Sequence, residues 1–181
     1  KPGQKIAVTT TLHMKGKKMP YVSRGGLKLA KALKVFGITV RDLTVLDIGS
    51  STGGFTDVML QNGAKRSYAL DVGTNQLADF TMGQPEFASI DVSFISLKLI
   101  LEPLSHILKL GGSVVALIKP QFEAGREHVG KHGIVRDRNV HEDVIKKVCQ
   151  FAVDNHFDVK NLDFSPIKGG QGNIEFWYTF S

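Results

Sequence analysis

Three observations predict an α/β domain built on a mostly parallel sheet with helices on both faces. Strand-like apolar runs alternate with helix-like stretches along most of the chain. The central runs, such as VVALI at Val114–Ile118, are apolar nearly throughout, which marks strands buried on both faces. The last two strand-like stretches are joined by SPIKGGQGN, with no helix between, so they are expected to form an antiparallel hairpin at the sheet edge.

The elements follow in order. Lys1–Pro20 holds turn residues and one short β-like stretch, IAVTT. Ser23–Phe36 reads as a helix: Ser23 is the candidate N-cap, Leu29, Leu33 and Phe36 form an apolar stripe, and Gly37 is the stop. TVLDIG is a strand, GGFTDVMLQNG a helix and RSYALDVG a strand. FASIDVSF is a strand, SLKLILEPLSHILKLGG a helix and SVVALIKP a strand. Asn139–His156 is a helix, Phe157–Phe164 a strand and Ile174–Phe180 the last strand. One span is too short. Sixteen residues separate Gly73 from Ile90, where a doubly wound sheet needs a helix, a strand and a further crossover. The expectation is that residues are absent from the chain near Ala78 and Asp79.

Composition narrows the function. At 181 residues the chain is one domain, or one domain plus a fragment, large enough to bury a core without disulfides. The single cysteine, Cys149, excludes an internal disulfide and cysteine-only zinc sites, as in a reducing compartment. The apolar runs are too short to cross a bilayer, and the first residues lack a secretory apolar core. The expected protein is soluble and cytoplasmic. Charge is unevenly spread: residues 1–41 hold ten Lys or Arg and no acid, while the remainder holds thirteen basic and seventeen acidic residues. Such a front is either a solvated basic face or a footprint for a phosphate backbone. Its spread through both the tail and the first helix favours the second.

The stretch VLDIGSSTGGF, Val45–Phe55, poses the sharpest question. A phosphate-binding loop needs Lys after GxxxxG, and Phe55 stands there. A dinucleotide site finds its ribose-binding acid in Asp71, about twenty residues on, but Asp47 would then face a pyrophosphate. S-adenosylmethionine has no phosphate and carries two cationic groups, so an acid before a Gly-rich turn suits it and Asp71 suits its ribose diol. The pattern favours S-adenosylmethionine. Nicotinamide or a purely structural turn, with Asp47 as a cap, remains open.

In open α/β sheets ligands bind beyond the carboxyl ends of the strands. Asp91 and Lys119 each end an apolar run there. Glu175 starts an antiparallel last strand, so it joins the same rim, and Lys28 lies early in the basic helix. Two lysines and two carboxylates can therefore converge. Methylating a ribose hydroxyl calls for a base, and a lysine serves if burial or another cation lowers its pKa. Lys119 is the candidate base, Lys28 the neighbouring cation, and Asp91 and Glu175 the orienting acids. The bland alternative is a structural ion-pair network. Cys149 lies mid-helix, which disfavours a cytosine C5 reaction, and Asp91-Val92-Ser93-Phe94 stands where amino-group methylation uses an Asn-Pro-Pro-Tyr turn.

Five blocks, YVSRGGLKL, LDIGSSTGGFTD, IDVSFISL, LIKPQFEAGRE and GNIEF, closely resemble in order the TlyA (hemolysin A-like) family of FtsJ-type RNA methyltransferases. The resemblance implies a Rossmann-like methyltransferase fold over residues 21–181. It also implies methyl transfer from S-adenosylmethionine to the ribose 2′-hydroxyl of cytidine in ribosomal RNA. Its Lys-Asp-Lys-Glu tetrad falls on Lys28, Asp91, Lys119 and Glu175. Its cofactor residues fall on Asp47, Gly49, Ser51, Gly53, Gly54, Phe55 and Asp71. Family members carry an amino-terminal S4-type RNA-binding module, of which residues 1–20 would be the tail and linker.

The long basic stretch Pro120–Arg138 is either a solvated loop or a lid that contacts RNA through Arg126, Lys131 and Arg136. Lys168 could act likewise, and Arg24 and Lys31 extend the basic helix as further RNA-binding candidates. No metal is expected, because His128, His132 and His141 fit no tight ligand spacing. The expected partner is ribosomal RNA or a ribosomal subunit, with no membrane role. Competing functions are a haemolysin, a nicotinamide oxidoreductase, a non-catalytic RNA-binding protein and a small-molecule methyltransferase.

Overall fold

Six strands hydrogen-bond into one sheet in the computed structural model, which describes residues 3, 5–11, 19–71, 77 and 80–181. The strands are β1 (Thr44–Ile48), β2 (Arg66–Leu70), β3 (Phe87–Ile90), β4 (Ser113–Ile118), β5 (Val159–Phe164) and β6 (Phe176–Phe180), in the order β2-β1-β3-β4-β6-β5. The first four run parallel, and β6 lies antiparallel between β4 and β5. The expected C-terminal hairpin is therefore present. Its second strand enters the sheet, and β5 takes the edge. Burial follows position. β3 and β6 are buried at every residue, while the edge strands β2 and β5 are half-exposed.

Helices α1 (Gly25–Val35) and α2 (Gly54–Gln61) cover one face; α3 (Lys98–Ile107) and α5 (Arg138–Asp154) cover the other. Strand parity divides the core between them. On β4, Val115 and Leu117 pack toward α1 and α2, whereas Val114, Ala116 and Ile118 pack toward α3 and α5. On β6, Trp177 joins the first cluster and Phe176, Tyr178 and Phe180 the second. Each large apolar side chain so buried stabilises the fold by about 1.5–3 kcal/mol. No helix is long and apolar enough to cross a membrane among the described residues.

Several local expectations are corrected. Ser23 is not the cap of α1: Arg24 occupies that position, and no side chain accepts there. The Ser23 carbonyl instead accepts from Gly26 N at 3.1 Å. Strand β3 stops at Ile90 rather than running to Phe94, because the backbone turns out of the ladder and Phe94 adopts φ +64°. Pro120–Arg138 is not a plain loop. It holds a single-turn helix, α4 (Pro120–Glu123), and 3-10 turns at Arg126–His128 and Lys131–Gly133. Asp137 then caps α5 by accepting from Asn139 N at 2.8 Å. Among the described residues no strand lies between β2 and β3 in sequence. The suspected junction at Ala78 and Asp79 lies outside the described residues.

Candidate active site

The carboxyl ends of β1, β2 and β3 open into a cavity of about 450 Å³. Gly49, Ser51, Asp71, Asp91, Ser93 and Phe94 supply its rim, and Leu70, Leu77, Ile95 and Ile100 an apolar wall. Gly49 is required where it stands. Its φ is +85°, and a Cβ there would lie 2.5 Å from the Asp91 carbonyl oxygen. The turn after β1 can therefore press against the end of β3. Ser51 N donates to Asp71 Oδ1 at 3.4 Å, which ties the glycine turn to the end of β2.

The other expected cofactor residues divide. Gly54 and Phe55 line a smaller cavity of about 140 Å³ beside Ser23, Gly25 and Asp91. Gly54 also permits close packing of α1, since a Cβ would collide with Ser23 Oγ. Phe55 stacks on Trp177 with ring centroids 5.8 Å apart. Gly53 is the left-handed cap of α2, at φ +82°. Asp47 corrects the sequence reading: it lines neither cavity. It is fully buried, accepts from Thr56 N at 2.8 Å and Thr56 Oγ1 at 2.6 Å, and meets Ser89 Oγ at 3.4 Å. Its carboxylate holds the first turn of α2, as a cap does. Burial pushes its pKa above the ordinary carboxylate range, against the opposing pull of the Thr56 hydrogen bonds.

The four expected catalytic residues form two ion pairs. Lys119 Nζ lies 2.6 Å from Asp91 Oδ1 and donates to Ser93 Oγ at 2.9 Å. Lys28 Nζ lies 2.6 Å from Glu175 Oε2. The sheet explains the assembly. Ile118 pairs with Phe176, so Lys119 and Glu175 extend past the same rung of the β4–β6 ladder. Helix α1 brings Lys28 across to Glu175, which is 2% exposed.

Of the expected RNA contacts, Arg24, Arg126, Lys131, Arg136 and Lys168 are exposed. Lys31 is engaged elsewhere: it donates to the Phe164 carbonyl at 2.7 Å and pairs with Asp163 at 3.0 Å, binding α1 to edge strand β5. Its ammonium is therefore committed to the fold. Residues that the sequence reading passed over include Ser93, Thr56 and Phe94. Phe94 is 88% exposed at the mouth of the main cavity, its ring 4.7 Å from that of Phe122. The signal was a polar and an aromatic residue two and three positions after a strand-ending acid. Glu123 was also missed; it accepts from Leu97 N and Ser96 Oγ, both at 2.7 Å, and so fixes the start of α3.

The cavity chemistry selects its occupant. Among the described residues two carboxylates and no Lys or Arg line it, which disfavours a pyrophosphate and suits a cationic nucleoside. Its apolar wall suits a flat base, and Asp71 at the rim suits a ribose diol. With the mostly parallel sheet and the glycine turn at the carboxyl end of β1, this site defines an S-adenosylmethionine-dependent methyltransferase. The chain belongs to the FtsJ-like methyltransferase family, whose model matches residues 21–90 and 79–181. It is 56% identical over 199 aligned residues to "Putative rRNA methyltransferase YqxC" of Bacillus subtilis, covering 97% of this chain and 71% of that one. It is 33% identical over 200 aligned residues to the 16S/23S rRNA (cytidine-2′-O)-methyltransferase TlyA of Mycobacterium tuberculosis, covering 98% of this chain and 75% of that one. A solved structure titled "Putative hemolysin from Streptococcus thermophilus" superposes with a TM-score of 0.85 at 59% identity, over 92% of this chain and 68% of that one.

Proposed function

We propose that this protein methylates the ribose 2′-hydroxyl of cytidine in ribosomal RNA, with Lys119 as the base. The observation that carries the reading is the Lys119–Asp91 ion pair at the mouth of a carboxylate-lined cavity. The name of the similar Mycobacterium tuberculosis protein supplies the substrate class.

S-adenosylmethionine, when bound, supplies an electrophilic methyl group on a sulfonium centre. Asp71 would hold the ribose diol of that cofactor, and Leu70, Leu77 and Ile100 its base, with the Gly49–Ser51 turn at the same rim. The acceptor hydroxyl is a poor nucleophile. Lys119 serves as the base for the hydroxyl proton, and Asp91 and Ser93 hold its nitrogen in line. Glu175 and Lys28 fix the opposite side of the acceptor site. Much of the rate comes from holding the oxygen against the methyl carbon. Phe94 offers an exposed ring beside the acceptor site on which a base can stack.

Residues 1–20 are assigned to the tail and linker of an S4-type RNA-binding module and residues 21–181 to the catalytic domain. The short span between β2 and β3 is read as a deletion. In support, the alignment to YqxC runs over 199 positions, more than the 181 residues of this chain, so the relative carries additional residues. The reaction is assigned to the cytoplasm, where ribosomal RNA is found.

The test is to incubate the protein with ribosomal subunits and isotopically labelled S-adenosylmethionine, digest the RNA and identify the labelled nucleoside by mass spectrometry. Labelled 2′-O-methylcytidine, absent with Lys119→Ala, is the expected result. Label on a base would overturn the mechanism, and label that persists with Lys119→Ala would remove the lysine from its role.

A further inference from the structure

Two separate stretches of this chain fold into the same four-residue loop. Gly130-Lys131-His132-Gly133 and Gly169-Gly170-Gln171-Gly172 are both Gly-x-x-Gly. In the first, Gly130 N donates to the Ile134 carbonyl and Gly133 N to the Gly130 carbonyl, each at 3.0 Å. In the second, Gly169 N donates to the Asn173 carbonyl at 2.9 Å and Gly172 N to the Gly169 carbonyl at 3.0 Å. The third residue of each loop is left-handed without being glycine: His132 at φ +68° and Gln171 at φ +58°. The fourth is glycine, at φ +73° and +93°. Such strained backbone persists where the surroundings enforce it, and it collects at functional positions.

Asn173 joins the two loops. Its side chain, 2% exposed, accepts from Val135 N at 3.0 Å and donates to the carbonyls of Gly133 at 2.8 Å and Gly170 at 3.1 Å. Beside the join runs a groove of about 380 Å³, lined by Arg136, Lys168, Gln171 and Gly172, with Ile134 and Ile174 as apolar wall. Among the described residues no Asp or Glu lines it. Neither Arg136 nor Lys168 has an acidic partner among the described residues. The amides of Lys131, His132, Gly170 and Gln171 meet no protein acceptor among the described residues. Successive amides in a right-handed then left-handed turn form a concave anion site.

The second loop touches a residue of the candidate reaction site. Gly169 packs so closely on Glu175 that a Cβ would collide with its carboxylate, and Glu175 holds Lys28 at 2.6 Å. We propose that the twin Gly-x-x-Gly loops and the Arg136–Lys168 groove clamp the phosphate backbone of the RNA strand next to the acceptor ribose. The glycines let phosphates approach the main chain, the loop amides and two cations receive them, and Asn173 keeps the loops at a fixed spacing. The inference rests on the RNA-methylation reading and adds how the strand is held. Because the clamp grips backbone, it is blind to sequence.

The test measures binding of a short fluorescein-labelled oligocytidylate across a salt series. The variants are Arg136→Glu with Lys168→Glu, and separately Gly170→Asp, where a Cβ meets nothing within 4 Å. Lys65→Glu, just before β2 at the opposite end of the sheet, is a charge reversal remote from the groove, half the charge change of the double variant. The double reversal should weaken binding at least about tenfold and lower the salt slope by about two. Gly170→Asp should weaken it by about tenfold, and Lys65→Glu should have far less effect. Calorimetry with S-adenosylhomocysteine, unchanged in all variants, establishes that each one folds. Equal losses with Lys65→Glu, unchanged affinity in the loop variants, or no binding by the unmodified protein would each overturn the clamp. Label transfer to ribosomal RNA that survives those outcomes leaves the methylation reading standing. Absent label transfer, with binding still governed by Arg136 and Lys168, would sink that reading and leave the clamp supported.

Discussion

Asp47 and Asp91 lie close to the carboxyl ends of neighbouring strands, β1 and β3, and both looked equally fit to meet a ligand. They do opposite work. Asp47 lies inside β1, opposite Ser89, fully buried with its carboxylate turned onto Thr56. Asp91 lies one residue past the end of β3, partly exposed, and faces Lys119 and the cavity. Two steps along the ladder separate an acid that holds a helix from one that faces the cavity. The lesson is that an acid inside the ladder belongs to the fold, and one just past its end can face the cavity.

The largest effect expected from breaking this comparison is on the Asp91 side. Asp91→Ala should lower single-turnover methyl transfer by about a hundredfold or more, since it frees the base from its orienting partner. Its melting temperature should move little. Asp47→Ala should do the reverse. Losing both Thr56 hydrogen bonds and leaving Thr56 N unpaired should cost about 2 kcal/mol in urea unfolding. Thr56→Val keeps the shape and removes one donor to Asp47, for about 1 kcal/mol, with turnover retained.

The smallest effect is a pH dependence. Burial raises the Asp47 pKa in the folded state, so the folded chain holds this proton more tightly than the unfolded one. Its contribution is fully present below the ordinary carboxylate range and is lost as pH rises through the raised value. The stability of wild type relative to Asp47→Asn should therefore fall with pH across that window. A difference that stays flat would mean that Asp47 titrates alike in both states.

Most of the sheet was legible because VVALI and TVLDI are short, apolar and bounded by turns, and because no helix fits between Phe164 and Phe176. The places of Asp91 and Lys119 were legible for the same reason: a polar residue after an apolar run announces a strand end. What escaped depended on distant partners. Lys31 carries a charge that sequence reads as available, but its partners Asp163 and Phe164 lie far along the chain and only folding brings them near. The role of Asp47 hung on whether β1 stops before it or after it, which turn residues alone do not decide. Asn173 looked like one more polar loop residue until its three hydrogen bonds linked two loops about forty positions apart.

The place of β6 has a consequence for the order of assembly. It comes last among the strands in the chain and yet lies inside the sheet, with β4 on one side and β5 on the other. A ribosome making this chain releases β5 before the strand it must pair with exists. Until β6 emerges and slots home, β5 has no neighbour, Lys28 has no Glu175, and the two glycine loops have no Asn173 between them. The Lys28–Glu175 pair and the Asn173 bridge are therefore late events of folding, formed only when the β6 segment is available.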